Sequence, residues 1–219
     1  MNRTKLELIL FGVLLQRPQT GYDLNAFMEK AGRFMRTNTS MTQVYRSLRT
    51  MEERGWLTHT VEPRPGAQDA KRYRVTEEGC TTFMEWLREP YRPPEAPGGP
   101  EFFTHLRFRG AYLGLHAVLD VLDVEITFRR RQIARNRHRD RTEWVDTAVP
   151  FDDGLASALM DWEHHRGAHR MDVHLEACIE LRDRLASGEV PRDDCPPPLR
   201  RIEDFTEQDL EVLLTRTAR

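Results

Sequence analysis

Residues 40–76 read SMTQVYRSLRTMEERGWLTHTVEPRPGAQDAKRYRVT. Ser40 followed three residues later by Gln43 is a capping-box pair, which starts a helix. Val44, Leu48 and Met51 then share one face of that helix. Gly55 is placed to end it in the left-handed conformation. Trp56 to Glu62 reads as a strand, Pro63, Pro65 and Gly66 turn the chain, and Lys71 to Val75 returns with Tyr73 and Val75 on one side. A helix handing over to a β-hairpin is the pattern of a winged helix, a module that holds duplex DNA.

Outward from this stretch the pattern stays helical. Leu6, Ile9, Leu10, Val13 and Leu14 recur at helical spacing, and Leu24, Phe27, Met28 and Ala31 form a second stripe after the break at Pro18 and Gly21. Thr76 caps a fourth helix with Glu77 and Glu78 in its first turn; Cys80, Phe83, Met84 and Leu87 are its apolar side. Residues 89–100, EPYRPPEAPGGP, hold five prolines and two glycines and can continue neither helix nor strand, so a domain boundary is expected there. Beyond it, Leu115, Leu119, Leu122, Ile126 and Ile133 step by threes, fours and sevens in a coiled-coil-like seam. A long helix over about 154–186 follows, with Met160, Met171, Leu175, Cys178, Leu181 and Leu185 along one stripe, so an antiparallel hairpin is expected. The expected organisation is a winged-helix domain at 1–89, a helical dimerisation and ligand-binding domain at 101–187, and a tail at 188–219 whose Leu210, Leu213 and Leu214 support a short helix. The fold class is mainly α: an N-terminal winged helix-turn-helix plus an α-helical C-terminal dimerisation domain.

Composition narrows the function. Hydrophobic residues make up 39% and charged residues 31%, enough for a core in a soluble chain. No apolar run reaches the roughly 18–20 residues of a membrane span. Cys80, Cys178 and Cys195 are widely spaced and form no CxxC pair, as expected for a reducing cytoplasm. The net charge of −2 divides into about +3 over residues 1–90 and −5 over the rest, a mildly basic front and an acidic back. Walker A, dinucleotide-binding and zincin patterns are absent, and no nucleophile–base set declares itself, so no enzyme and no cofactor are expected.

Three segments carry a family resemblance: ILFGVLLQRPQTGYDLNAFM at 9–28, VYRSLRTMEERGWL at 44–57 and KRYRVTEEG at 71–79. In order and spacing the chain resembles a PadR-family transcriptional regulator. EFFTHLRF at 101–108 resembles the start of the helical C-terminal domain of that family's longer subgroup. Arg46-Ser47 stands where the family often has Pro-Ala, so the operator of relatives does not transfer. The resemblance implies a cytoplasmic homodimer, a probable repressor, that binds pseudo-palindromic operator DNA, has no membrane segment and is released by a small-molecule signal.

A helix-turn-helix presents the start of its second helix to the major groove. Here that assigns DNA contact to Ser40, Thr42, Gln43, Tyr45, Arg46 and Arg49, with Arg64, Lys71 and Arg72 at the hairpin. Gln can pair with adenine and Arg with guanine, while Tyr45 and the hydroxyls suit phosphate. The dimer interface is expected at Leu115, Leu119, Leu122, Ile126, Leu175 and Leu181. Phe108, Tyr112 and Trp162 are the aromatic candidates for a planar effector. The arginines between 129 and 141 read first as the solvated end of a long helix paired with the acidic second one. In WEHHRGAHRMDVH, residues 162–174, His165 and His169 stand one turn apart, a spacing that can hold a metal, yet the string is not HExxH and a helix contact is the plainer reading. A second functional class stays open: a ligand- or metal-binding sensor whose winged helix serves protein contact. Salt-dependent retention on duplex DNA that survives competitor DNA separates the two.

Overall fold

The computed structural model describes residues 4–64, 66, 69–140, 146 and 148–189. The expected tail helix, Cys195, Arg141 and Trp144 lie outside the described residues. The chain divides into two compact units, 1–182 and 183–219. Of the second, only the end of the last helix and the residues just after it are described; there Arg184 meets Glu189 at 3.1 Å. Among the described residues no helix is long and apolar enough to cross a membrane.

The first unit opens with α1 (Lys5–Leu14), β1 (Gln19–Thr20), α2 (Gly21–Glu29) and a 3-10 turn (Ala31–Phe34). It continues with α3 (Met41–Glu53), β2 (Leu57–Glu62), β3 (Ala70–Val75) and α4 (Glu77–Arg88). Thr4, Thr20 and Ser40 each complete a capping box, so the first three helices begin where short polar side chains satisfy free backbone amides. Gly55 has φ +74°, which a side chain would strain, and it turns the chain from α3 into β2. The sheet is antiparallel in the order β1-β3-β2, with Leu57 opposite Val75 and Glu62 opposite Ala70. The two-residue β1 has no periodicity to read; it exists because Gln19 and Thr20 pair with Tyr73 and Arg72 far along the chain.

The core gathers Ile9, Leu10, Phe11, Leu24, Val44, Leu48, Met51, Trp56, Phe83 and Leu87. Phe11 packs against Trp56 and Phe83 with ring centroids 5.5 and 6.0 Å apart. α5 (Pro100–Leu113) joins this core from beyond the proline-rich segment. Phe108 meets Phe83 edge-on at 5.8 Å, and the Tyr112 hydroxyl donates to the Gly12 carbonyl at 2.7 Å. Gly12 permits this approach, because a Cβ there would lie 2.3 Å from the Phe108 ring. Arg109 donates to the carbonyl of Glu89 at the C-terminus of α4, where a cation complements the helix dipole.

α6 (Leu115–Asn136) and α7 (Asp153–Ala186) run antiparallel: Asp123 meets Arg182 at 2.9 Å, Glu125 meets His174 at 2.9 Å, and Arg137 pairs with Asp172. Arg129 corrects the reading of the basic run. It is fully buried and acts as a clamp rather than as a solvated end. Its Nε donates to Glu125 at 2.8 Å, and its other nitrogens reach the carbonyls of Pro94 and Glu95 at 2.6 and 2.9 Å. The Tyr91 hydroxyl donates to the second Glu125 oxygen at 2.9 Å. Residues 89–100 thus lack helix and strand up to Pro100 yet are strapped to α6.

Candidate nucleic-acid interface

The amphipathic pattern of α3 buries Val44, Leu48 and Met51 and turns Thr42, Tyr45, Arg46 and Arg49 outward. Met41, Tyr45 and Arg49, four residues apart, form one wall of a groove of about 700 Å³. The hairpin supplies the facing wall through Arg64, Asp69, Ala70, Lys71 and Tyr73, and Thr20, Gly21 and Tyr22 close one side. The Tyr45 ring lies over Gly21, where a Cβ would come within 2.4 Å of it. Glu52 sits in the groove: it pairs with His59 and lies 4.0 Å from the Lys71 ammonium. Burial, reinforced by the charge of Glu52, raises the Tyr73 phenol above its usual range, so the groove floor carries no phenolate at neutral pH.

The expected DNA contacts separate into two sets. Thr42, Tyr45, Arg46, Arg49, Arg64 and Lys71 are exposed around the groove. Ser40, Gln43 and Arg72 also make hydrogen bonds within the chain. Ser40 Oγ accepts from the Gln43 amide at 3.3 Å, while Gln43 Oε1 accepts from the Ser40 amide and from Arg36, both at 3.2 Å. Arg72 pairs with both oxygens of Glu62 and donates to the Pro18 carbonyl at 3.2 Å, which ties β3 to its neighbours. Tyr22, 61% exposed, is a groove residue that the sequence reading missed; its place in Gly21-Tyr22 at the start of α2 is the signal that could have found it.

The proposed effector aromatics do not come together. Phe108 is fully buried in the winged-helix core, Tyr112 packs beside it, and Trp162 stands 59% exposed on α7 under Arg166. The expected dimer residues also divide. Leu122 and Ile126 are buried within the protomer, Leu119, Leu175 and Leu181 are half-buried, and Leu115 is exposed. The apolar residues that α7 leaves in solvent are Leu155, Leu159, Trp162 and Val173. His165 and His169 are exposed, and the described residues contain no group of three side chains able to hold a metal ion.

One cluster superficially resembles a catalytic triad. His174 Nε2 lies 2.9 Å from Glu125 and 3.6 Å from Cys178 Sγ. Both contacts use the same ring nitrogen, so the imidazole cannot relay a proton from thiol to carboxylate. Burial, with Glu125 nearby, pushes the Cys178 thiol up to about 12, which leaves it protonated and a poor nucleophile.

Comparison with known proteins finds likeness to one family, one relative and several solved structures. Residues 10–85 match the transcriptional regulator PadR-like family. Over 113 residues the chain is 29% identical to Rv1176c, described as a probable transcriptional regulator, of Mycobacterium tuberculosis; the match covers 48% of this chain and 59% of that protein's length. Among solved structures, PadR of Bacillus subtilis in complex with operator DNA is 15% identical, with a TM-score of 0.40 over 83% of this chain and 99% of that one. The virulence activator AphA of Vibrio cholerae is 21% identical, with a TM-score of 0.36 over 84% of this chain and 99% of that one. Residues 10–85, the matched segment, hold α3 and the hairpin that form the groove.

Proposed function

We propose that the chain is a homodimeric repressor whose winged helix, residues 1–89, reads a pseudo-palindromic operator duplex and whose helices over 101–187 pair the protomers. The observation that carries the DNA reading is the groove itself: Tyr45 and Arg49 of α3 line it together with Arg64 and Lys71 of the hairpin, and Thr42 and Arg46 stand exposed on the same helix. A helix of this width enters the major groove, and a cationic hairpin beside it meets the backbone or minor groove. Arg46→Ala should weaken operator binding by about 1–3 kcal/mol and relax preference at one position, as for a base contact. Lys71→Ala should weaken all sequences alike and lower the salt slope by about one. Titrations of selected and scrambled duplexes at several salt concentrations measure both. If neither change alters affinity at physiological salt, this face is not the reader.

Dimerisation is supported by the outer face of α7. Leu155, Leu159, Trp162 and Val173 are each more than half exposed. At about 100° per residue they fall within roughly 60° of one another around the helix. The stripe with Cys178 and Leu175 turns the other way, toward α6. An apolar face of this length is a partner surface. Leu159→Glu with Trp162→Glu should leave the protomer folded, since both positions are exposed, and should give monomers in sedimentation. Operator affinity should then fall by about a hundredfold or more, because the second half-site loses its tether. A variant that remains a dimer would refute this assignment of the interface.

A small-molecule effector enters this reading through a cavity of about 390 Å³ lined by Ala96 and Pro97 of the strap, Ile133 and Arg137 of α6, and His164 and Met171 of α7. Occupancy there acts on the strap that joins winged helix to α6. Release of operator on titration, lost in Met171→Trp, which fills the space, is the expected behaviour.

A further inference from the structure

The first turn of α3 is the part of a recognition helix that reaches deepest into the major groove. Two of its three hydrogen-bonding side chains, Ser40 and Gln43, are already engaged. Ser40 and Gln43 close the capping box, and Arg36 donates to Gln43 and, at 2.7 Å, to Thr39. What the first turn presents outward is Met41 and Thr42, both exposed. Met41 is the first residue of the helix, 42% exposed, and lines a cleft that also holds Tyr22, Tyr45, the cations Arg49, Arg64 and Lys71, and the acids Glu52 and Asp69. A thioether gives nothing to a phosphate. It does offer a flexible, polarisable apolar surface. The apolar group that the major groove displays on a base edge is the C5-methyl of thymine.

We propose that Met41 reads the C5-methyl group of one thymine in each operator half-site. The inference rests on the DNA-binding reading above and adds its sequence preference. A T·A pair is recognised by contact at the helix tip, and the guanine-type contacts come from Arg46 and Arg49 one and two turns further along.

The test uses the full chain and a duplex that it selects from a random pool. Each thymine is replaced in turn by deoxyuridine, which removes the methyl group and leaves every hydrogen-bonding group in place. One thymine per half-site should weaken wild-type binding by about fourfold, the effect of one buried methyl group. That penalty should disappear in Met41→Ala and persist in Met41→Leu. The proposal is overturned if no deoxyuridine weakens wild type, or if Met41→Ala is penalised as wild type is. It is likewise overturned if the penalty is lost in Thr42→Ser and kept in Met41→Ala, which would make Thr42 the reader. Failure to enrich any sequence from the pool would be a different result: it would overturn the DNA-binding reading itself, and this inference with it.

Discussion

Arg129→Ala should cost about 3–5 kcal/mol of folding stability, the effect of leaving a buried charge without its partner. Arg129 and Glu125 are both fully buried and meet at 2.8 Å. Burial alone would raise the Glu125 carboxyl; the hydrogen bonds from His174, Arg129 and Tyr91 outweigh it and hold the carboxyl below its usual range. Removing the guanidinium strips Glu125 of its counter-charge and leaves the Pro94 carbonyl without this donor, while the Glu95 carbonyl keeps only Gln132 at 3.1 Å. An unsatisfied buried polar group costs about 1–3 kcal/mol by itself, so the effects reinforce one another. Urea unfolding curves of wild type and variant measure the loss. Glu125→Gln in the Arg129→Ala background should recover part of it, because a neutral amide needs no counter-ion. A loss below about 1 kcal/mol in the single variant would mean that water reaches this cluster freely. The same guanidinium ties the 89–100 segment to α6, so the variant should also loosen the hold of that segment on α6.

Acidification should weaken the fold through His105. Its ring lies between Trp86 and Tyr91, with centroids 5.1 and 5.0 Å away, and its Nδ1 is buried without a hydrogen-bond partner. Burial, then the nearby charges of Arg109 and Lys5, lower it to about 4. The folded state therefore refuses a proton that the unfolded chain accepts near pH 6.5. Stability is full above pH 6.5 and falls as the pH drops toward 4, by about 2–3 kcal/mol across that window. Glu125 adds to the loss at still lower pH, since a depressed carboxyl gives up its stabilisation as pH falls through its folded value. Urea midpoints between pH 7 and 4.5 test the slope, and His105→Phe should flatten it while keeping the ring contacts. Equal slopes in wild type and His105→Phe would place the acid sensitivity elsewhere.

Much of the winged helix was legible because its signals are local. Capping boxes at Thr4, Thr20 and Ser40, the left-handed Gly55 and the Pro/Gly hairpin tip each act within a few residues, so spacing alone locates α1 to α4 and the hairpin. The exposed faces of Arg46 and Arg49 follow from the same period that buries Val44 and Leu48. Ser40 and Gln43 illustrate the limit: one polar pair reads both as a cap and as a DNA contact, and the hydrogen bonds show the cap.

The sequence by itself determined the helices of the winged-helix domain, the hairpin, their order and the family resemblance, since these depend on neighbours along the chain. Only the tertiary structure decided what each apolar or charged stripe touches. Periodicity marks Leu122, Ile126 and Leu175 as apolar but cannot say that they turn toward the chain's own interior, while Leu159 and Trp162 are left exposed. The same is true of Phe108, an effector candidate by type that became core because Gly12 let α5 approach α1. Arg129 is the sharpest case. In sequence it opens a basic run, and in space it is the buried donor to carbonyls 34 and 35 residues upstream. Such a role depends on distances across the fold, where desolvation makes a charge costly unless distant partners converge on it, and no local pattern encodes that convergence.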